Sequence, residues 1–369
     1  MVKVLVVGQT PPPYGGQAMM IERLVNGVYQ GIKIYHVRMA FSDQVKSIGK
    51  FSFHKIKHLF TLILKIYGIR IREKHLILYY PPAGPDFNPI IRDLILLFFV
   101  RPFFKKTVYH FRAAGISEYL QTKSKFFQSI CKTIYGSPNV GIQLSALNPK
   151  DADYFCAKKV IYVPNGLEDE ALNYLPITRL KKDTDIINLL FVGVLREDKG
   201  LTCLVKALQL LNTSGTQNFN LTVMGDFTSD SYRKEVTELL REYGLTEKVQ
   251  FIGTKTKSDK WDCFLAADML CFPTFFNSES FGNVLLEAMM FELPVIATFW
   301  RGIPDIVNEN TGILVQINNE KQLAEGIKKL IVDNQLRLQM GKNGRAKYLE
   351  QYSLKKHLLK MENVFLNIN

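Results

Sequence analysis

Twice along the chain, a short run of β-branched and leucine residues closes on a glycine and gives way to helical spacing. The first run is Val2-Lys3-Val4-Leu5-Val6-Val7-Gly8, followed by Pro11-Pro12-Pro13-Tyr14-Gly15-Gly16 and a helical period from Ala18 to Val28. The second is Ile186-Ile187-Asn188-Leu189-Leu190-Phe191-Val192-Gly193, followed by a polar turn through Lys199-Gly200 and a helical period from Leu201 to Leu211. A strand that is apolar at nearly every position is covered on both faces, the condition of a parallel sheet between helix layers. The alternation continues with Leu76–Tyr80, Thr107–His110, Val140–Leu144 and Val160–Val163 in the first half. Phe219–Gly225, Val249–Gly253, Met269–Pro273 and Pro294–Ala297 carry it through the second. At 369 residues the chain exceeds one ordinary domain. The doubling therefore predicts two doubly wound α/β domains facing across a cleft, with ligand at the carboxyl ends of the strands.

The turn Pro164-Asn165-Gly166 marks the joint, so the expected domains are 1–166 and 167–349, with polar residues 168–185 as linker. The tail from Leu336 to Asn369 has an amphipathic helical pattern, and a closing helix over about 350–369 is expected to cross back onto the first domain.

Hydrophobic residues at 47% and charged residues at 22% exclude a disordered or collagen-like chain. The strongest apolar run, Leu94 to Val100, is far shorter than the roughly 20 residues of a membrane span. The N-terminus does not read as a secretory signal, because its apolar run breaks at Gly8 and a proline cluster. Five scattered cysteines without a CxxC pair predict a reduced, cytoplasmic protein lacking a structural zinc or disulfide framework. Charge is unevenly placed: residues 1–180 hold 24 Lys and Arg against 11 Asp and Glu, whereas residues 181–369 hold 23 of each. The densest basic stretch runs from Lys46 to Lys74, where Lys50, Lys55, Lys57, Lys65, Arg70 and Arg72 alternate with Phe51, Phe53, Leu59, Phe60, Leu62, Ile63 and Ile66. A second is Arg101-Pro102-Phe103-Phe104-Lys105-Lys106. This mixture suits contact with the anionic inner leaflet of the cytoplasmic membrane; it equally suits an ordinary solvated helix face. No helix-turn-helix, zinc-finger or RNP signature accompanies it, so nucleic acid is not expected.

The chemistry sits between Pro273 and Val315. A strand ends near Pro273, a polar loop carries Asn277-Ser278-Glu279-Ser280, and Phe281-Gly282 opens a helix from Asn283 to Phe291. A helix start presents unpaired N–H groups and partial positive charge, and so receives an anion without a metal. Gly282 lets a phosphate approach the backbone. Glu287, in the second turn, is placed to accept from ribose hydroxyls, and Glu279 to face a sugar beyond the diphosphate. Taken alone, two glutamates at this spacing are equally a helix-terminus charge and a surface residue.

The pattern E-x-F-G-x-x-x-L-E-A-M, then P-V-I-A-T and G-I-L-V, resembles the donor-site signature of the family-four retaining glycosyltransferases of GT-B fold (glycosyl transferases group 1), whose two glutamates fall on Glu279 and Glu287. The resemblance extends to Gly15-Gly16, the Pro-Asn-Gly joint, Gly193, Leu195, Lys199 and Gly200 of the next turn, Met224-Gly225-Asp226, and Phe251 with Gly253. It implies two Rossmann-like domains and a retaining, metal-independent hexosyltransferase using a UDP- or GDP-linked sugar as substrate, with no resident cofactor. Glu287 would bind the ribose and Glu279 the transferred sugar. The backbone of Phe281, Gly282 and Asn283 would hold the diphosphate, with charge from Lys199, and Ser280 and Arg196 would belong to the same donor-binding set. Gly253-Thr254-Lys255 would lie against the base, Gly15 and Gly16 would admit the phosphate and acceptor, and His110 would sit over the reacting sugar. The expected acceptor is a saccharide, lipid-linked in view of the basic first half, in bacterial-type polysaccharide or glycan biosynthesis, on an enzyme peripherally attached to the cytoplasmic membrane. A nucleotide-sugar epimerase of the same fold, or a catalytically silent membrane-associated homologue, is the alternative.

Three departures stand out. Val194 occupies the place of an arginine after the turn glycine, with Arg196 two residues on as its replacement. Ser280 stands where a glycine is common, and Glu292-Leu293 where a glycine often precedes Pro294. Asp151-Ala152-Asp153 and Asp183-Thr184-Asp185 resemble a metal-binding D-x-D by chance, since neither follows a strand at the nucleotide site.

Overall fold

The computed structural model describes residues 1–12, 14–40, 53–177 and 186–368, with backbone alone for 53–56. Pro13, Lys46, Lys50, Phe51, the side chains of Phe53 and Lys55, and Asp183-Thr184-Asp185 lie outside the described residues. The chain divides into two compact units, Met1–Asn165 with Lys355–Asn369, and Gly166–Leu354.

The first unit contains, in order, β1 (Val2–Gly8), α1 (Gly16–Asn26), β2 (Ile32–Arg38), α2 (Phe53–Arg72), β3 (Leu76–Tyr80), α3 (Phe87–Val100), β4 (Lys106–Phe111), α4 (Ile116–Gln121), α5 (Lys125–Tyr135), β5 (Val140–Gln143), α6 (Asp151–Tyr154) and β6 (Val160–Tyr162). The second contains β7 (Ile187–Val192), α7 (Leu201–Thr213), β8 (Phe219–Met224), α8 (Asp230–Glu242), β9 (Val249–Phe251), α9 (Lys257–Ala266), β10 (Met269–Phe272), α10 (Asn283–Met290), β11 (Val295–Thr298), α11 (Ile303–Ile306), β12 (Gly312–Val315), α12 (Glu320–Val332) and α13 (Asn334–Lys347). A π-helical turn at Tyr348–Tyr352 leads to α14 (Leu354–Leu366).

Among the described residues the strands form two six-stranded parallel sheets, ordered β2-β1-β3-β4-β5-β6 and β12-β11-β10-β7-β8-β9. Both are doubly wound, with the strand order reversing between β1 and β3 in one and between β7 and β10 in the other. The inner strands β3, β5, β10 and β11 are buried at every position, including Gln143 at the end of β5 and Thr298 at the end of β11, as parallel strands covered on both faces require. In the first unit, Leu5, Leu78 and Tyr109 pack under α2, α3 and α5, while Val4, Ile77 and Val108 form the opposite layer. Met361, Val364 and Phe365 of α14 complete that second layer, so the last helix is core to the unit that the chain's start builds.

Residues 167–174, just after the joint, pack on the second unit. Leu167 accepts from the Tyr348 hydroxyl at 2.9 Å, Ala171 is buried, and Tyr174 packs its ring on Phe291. Asp169 receives both arms of Arg345 at 2.6 and 2.7 Å, and Arg345 also donates to the Met290 carbonyl at the end of α10. The segment is held because the second unit supplies a buried guanidinium for it. The edge strands β2 and β12 add to the strands legible from apolar runs; β2 interrupts its run with Lys33 and His36, as one open edge permits.

Candidate active site

In the second unit the reversal point opens between the ends of β7 and β10, and both following loops bring charge to it. After β7 the chain passes Gly193, Val194 and Leu195 into a 3-10 turn at Glu197–Lys199 and enters α7 at Gly200. Gly200 takes a left-handed φ of 81°, and a Cβ there would run into the carbonyl of Pro273. This close approach stitches the two loops together. The Phe275 amide donates to the Asp198 carbonyl at 2.8 Å, and the Trp300 indole donates to the Phe276 carbonyl at 2.8 Å.

Lys199 Nζ lies 2.5 Å from Glu279 Oε2, with the two side chains only 14% and 12% exposed. The same ammonium sits 4.5 Å from the centre of the Phe276 ring, and the Arg196 guanidinium lies over that ring at 4.6 Å. Arg196 also holds Asp198 at 2.6 and 2.7 Å. Arg196 is therefore at the site, paired with Asp198, while Val194 is half exposed and apolar. A second pair lies on α10: Lys260 of α9 reaches Glu287 Oε1 at 2.5 Å and rests over the Trp261 ring at 4.8 Å. Lys260, Asp198 and Phe276 are the residues that sequence reasoning passed over. Lys260 stands 27 residues before Glu287 on another helix, so no local spacing signals the pair.

Gly282 begins α10 with a left-handed φ of 79°, and Phe281 is buried with its ring edge-on to Tyr352. That anchor fixes the direction in which the helix N–H groups of Gly282 and Asn283 point. Ser280 is buried and its φ is not positive, so the missing glycine imposes no strain there. Glu292, by contrast, takes a left-handed φ of 55° in the turn before Pro294. The loops after β8 and β9 meet beside the site. Gly225 N donates to Gly253 O at 3.0 Å, and the Thr254 hydroxyl to Asp226 at 2.6 Å; Lys255 follows directly. Glu279, Ser280, Phe281, Gly282, Asn283, Glu287, Lys199, Arg196 and Gly253-Thr254-Lys255 thus all lie at the carboxyl edge of one sheet.

The remaining expected residues belong to the first unit. Gly15 precedes α1, with open space where a Cβ would stand, and Gly16 is the first residue of that helix. His110 is not presented to solvent. It alternates with Tyr109 and Phe111 along β4 and shares the face of Val108, toward the layer that α14 closes. Its side chain is fully buried, with Nδ1 at 2.9 Å from the Tyr79 hydroxyl, which also receives Arg112 Nε at 3.1 Å. Burial, reinforced by the neighbouring Arg112 and His357, holds its imidazole well below the ordinary histidine range. In this unit His110 is thus a buried partner of Tyr79. Asp151 likewise has a structural task, its carboxylate accepting from Gly115 N and Ser117 N, each at 2.9 Å, at the start of α4.

Two doubly wound six-stranded parallel sheets, one in each unit, define a GT-B architecture. Residues 177–347 match the model of the family "Glycosyl transferases group 1". The capsular polysaccharide biosynthesis glycosyltransferase CapM of Staphylococcus aureus is 33% identical over 192 residues, 51% of this chain and 48% of CapM. A D-inositol 3-phosphate glycosyltransferase of Corynebacterium glutamicum (strain R) is 32% identical over 160 residues, 42% of this chain and 37% of its own. The chain thus spans half or less of these curated relatives. Among solved structures, Anabaena HepE in complex with UDP superposes with a TM-score of 0.70 at 17% identity, covering 99% of this chain and 100% of that one. Sucrose-phosphate synthase from Thermosynechococcus elongatus gives 0.72 at 18% identity, covering 99% and 98%. At these identities the likeness is one of fold.

Proposed function

We propose that this protein transfers a sugar from a nucleotide-diphosphate donor, UDP- or GDP-linked, to a saccharide acceptor carried on a lipid, with retention of configuration and without a catalytic metal. The carrying observation is the double lysine–carboxylate arrangement around α10, Lys199 on Glu279 and Lys260 on Glu287. Each carboxylate is held ready by a cation, so a donor can replace one hydrogen-bonding partner by another instead of entering a repulsive site. Glu287 takes the ribose hydroxyls and Glu279 those of the sugar, while the start of α10 and Lys199 face the diphosphate.

As the anomeric carbon–oxygen bond to the diphosphate breaks, negative charge grows on the leaving oxygen, where Lys199 and the helix N–H groups stabilise it most. The sugar passes through an oxocarbenium-like state. The acceptor oxygen forms the new bond on the same face, and its proton goes to the departing phosphate oxygen. Atoms and charge balance without redox chemistry or a resident cofactor. Support for the donor class comes from the UDP and UDP-glucose complexes of HepE, and for a glycan product from the naming of CapM. The excess cations of residues 1–180 support an acceptor at an anionic membrane surface.

The test has two stages. A thermal-shift screen of UDP-, GDP- and dTDP-sugars identifies the donor, since ligand at 100 times its Kd stabilises by roughly 2.7 kcal/mol. The chosen donor, labelled in the sugar, is then incubated with a detergent-solubilised polyprenyl-diphosphate saccharide, with and without EDTA. Transfer with an unchanged anomeric configuration in both samples is expected. Sugar inversion at a ring carbon with donor alone would make the protein an epimerase. Donor binding with no turnover would make it a silent homologue.

A further inference from the structure

The outer surface of α2 and α3 combines features that an ordinary solvated face does not. Along α2, Leu59, Leu62, Ile63 and Ile66 are buried against the sheet. Phe60, Leu64 and Ile71 are 58%, 69% and 81% exposed. At about 100° per residue these three share one narrow stripe, and the exposed Lys57, Lys65 and Arg72 occupy the next sector. The helix therefore has three faces, one in the core, one apolar and open, one basic.

The open apolar stripe continues onto α3. Tyr67 donates its hydroxyl to the Phe99 carbonyl at 2.7 Å and sets its ring edge-on to Phe103 at 5.0 Å, and Arg70 donates to the Phe103 carbonyl at 2.9 Å. Through these bonds Phe98, Phe99 and Phe103, all exposed, extend the patch that α2 begins. Beside the basic stripe, a groove of about 600 Å³ between α2 and the edge strand β2 is lined by His36, Arg38, Lys65 and Arg72. No acidic residue occurs in α2, and the one acid of α3, Asp93, is fully buried among Tyr80, Tyr135 and Arg92.

We infer that this face docks on an anionic phospholipid leaflet. Phe60, Leu64, Ile71, Phe98 and Phe103 enter the boundary between headgroups and acyl chains, while Lys57, Lys65 and Arg72 meet lipid phosphates. Charge selects this occupant: a second copy related by a two-fold axis would lay the basic stripe against itself, whereas anionic headgroups complement it. Attachment is to the surface, since among the described residues no helix is long and apolar enough to cross a membrane. The inference deepens the lipid-linked acceptor reading and rests on it for its purpose, because it brings the chain to where such an acceptor lies.

The experiment is co-sedimentation of the full chain with vesicles of phosphatidylcholine alone or with 30% phosphatidylglycerol. Binding to the anionic vesicles only, weakening as salt rises, is expected. Lys57→Gln/Lys65→Gln/Arg72→Gln should weaken it on the order of a hundredfold, and Phe60→Ser/Leu64→Ser/Phe98→Ser should also release the protein. Independently of these losses, the fluorescence that Phe98→Trp adds should be quenched by brominated acyl chains. Equal affinity for both vesicles, binding unaffected by either triple variant, or added Phe98→Trp fluorescence that brominated lipid leaves unquenched would overturn the inference. So would conversion of a dimer to a monomer by the serine variant with vesicle binding intact. Sugar transfer from a soluble donor to a detergent-solubilised acceptor without vesicle binding removes this face alone; vesicle binding without transfer removes the acceptor reading alone.

Discussion

Replacing Lys199 by methionine separates the structural and the chemical work of one ammonium group. Its partner Glu279 lies at 2.5 Å, and both side chains are nearly nine-tenths covered. With charge centres about 4 Å apart and an effective dielectric constant near 20, their attraction is about 4 kcal/mol before desolvation is set against it. Lys199→Met leaves the Glu279 carboxylate without that partner. A fully buried pair broken on one side costs about 3–5 kcal/mol, so this partly covered one should cost about 2. The loss is read as a lower urea midpoint. Glu279→Gln in the same chain should restore much of it, because the uncompensated charge is gone, giving a coupling of about 1–2 kcal/mol in a double-mutant cycle. Catalysis should respond differently. If Lys199 meets charge that develops only as the diphosphate leaves, the methionine variant loses about 10²–10³ in kcat, and Glu279→Gln does not rescue it. Initial rates of labelled-sugar transfer over a range of donor concentrations provide the numbers. A raised donor KM with unchanged kcat would refute the reasoning, since it would mean that Lys199 binds ground and transition states equally.

Three further outcomes are expected. Glu287→Ala should weaken UDP binding by roughly tenfold to a hundredfold, the range for hydrogen bonds to a charged group, as read by calorimetric titration, with the fold unchanged by circular dichroism. Arg345→Met should destabilise the second unit by about 2–3 kcal/mol, measured by urea unfolding, because Asp169 loses both hydrogen bonds of a largely covered bidentate pair. Stability should fall as pH drops below 6.5: unfolded histidines take up a proton there, whereas burial holds His357 at about 3 and His110 well below its usual range. His357 should withdraw about 2 kcal/mol between pH 7 and pH 5, with His110 acting in the same direction, and a urea midpoint that ignores His357→Gln across this interval would contradict the assignment.

The sequence by itself determined the sheet cores and the turns and helix starts at their ends. Runs such as Val4–Val7 and Leu189–Phe191 are apolar at consecutive positions, and only a two-sided cover makes that favourable. Gly200 and Gly282 mark backbone that must turn left-handed, and Glu279 and Glu287 are local to the helix they serve. Tertiary structure alone decided which side chains meet. The pairs Lys260–Glu287 and Asp169–Arg345 join residues 27 and 176 apart, and periodicity carries no information across such distances. His110 is the clearest case. It lies near the end of β4, and α14, arriving from the far end of the chain, closes the layer its face belongs to. Local pattern reports which face of an element is apolar, and the path of the chain decides what covers it.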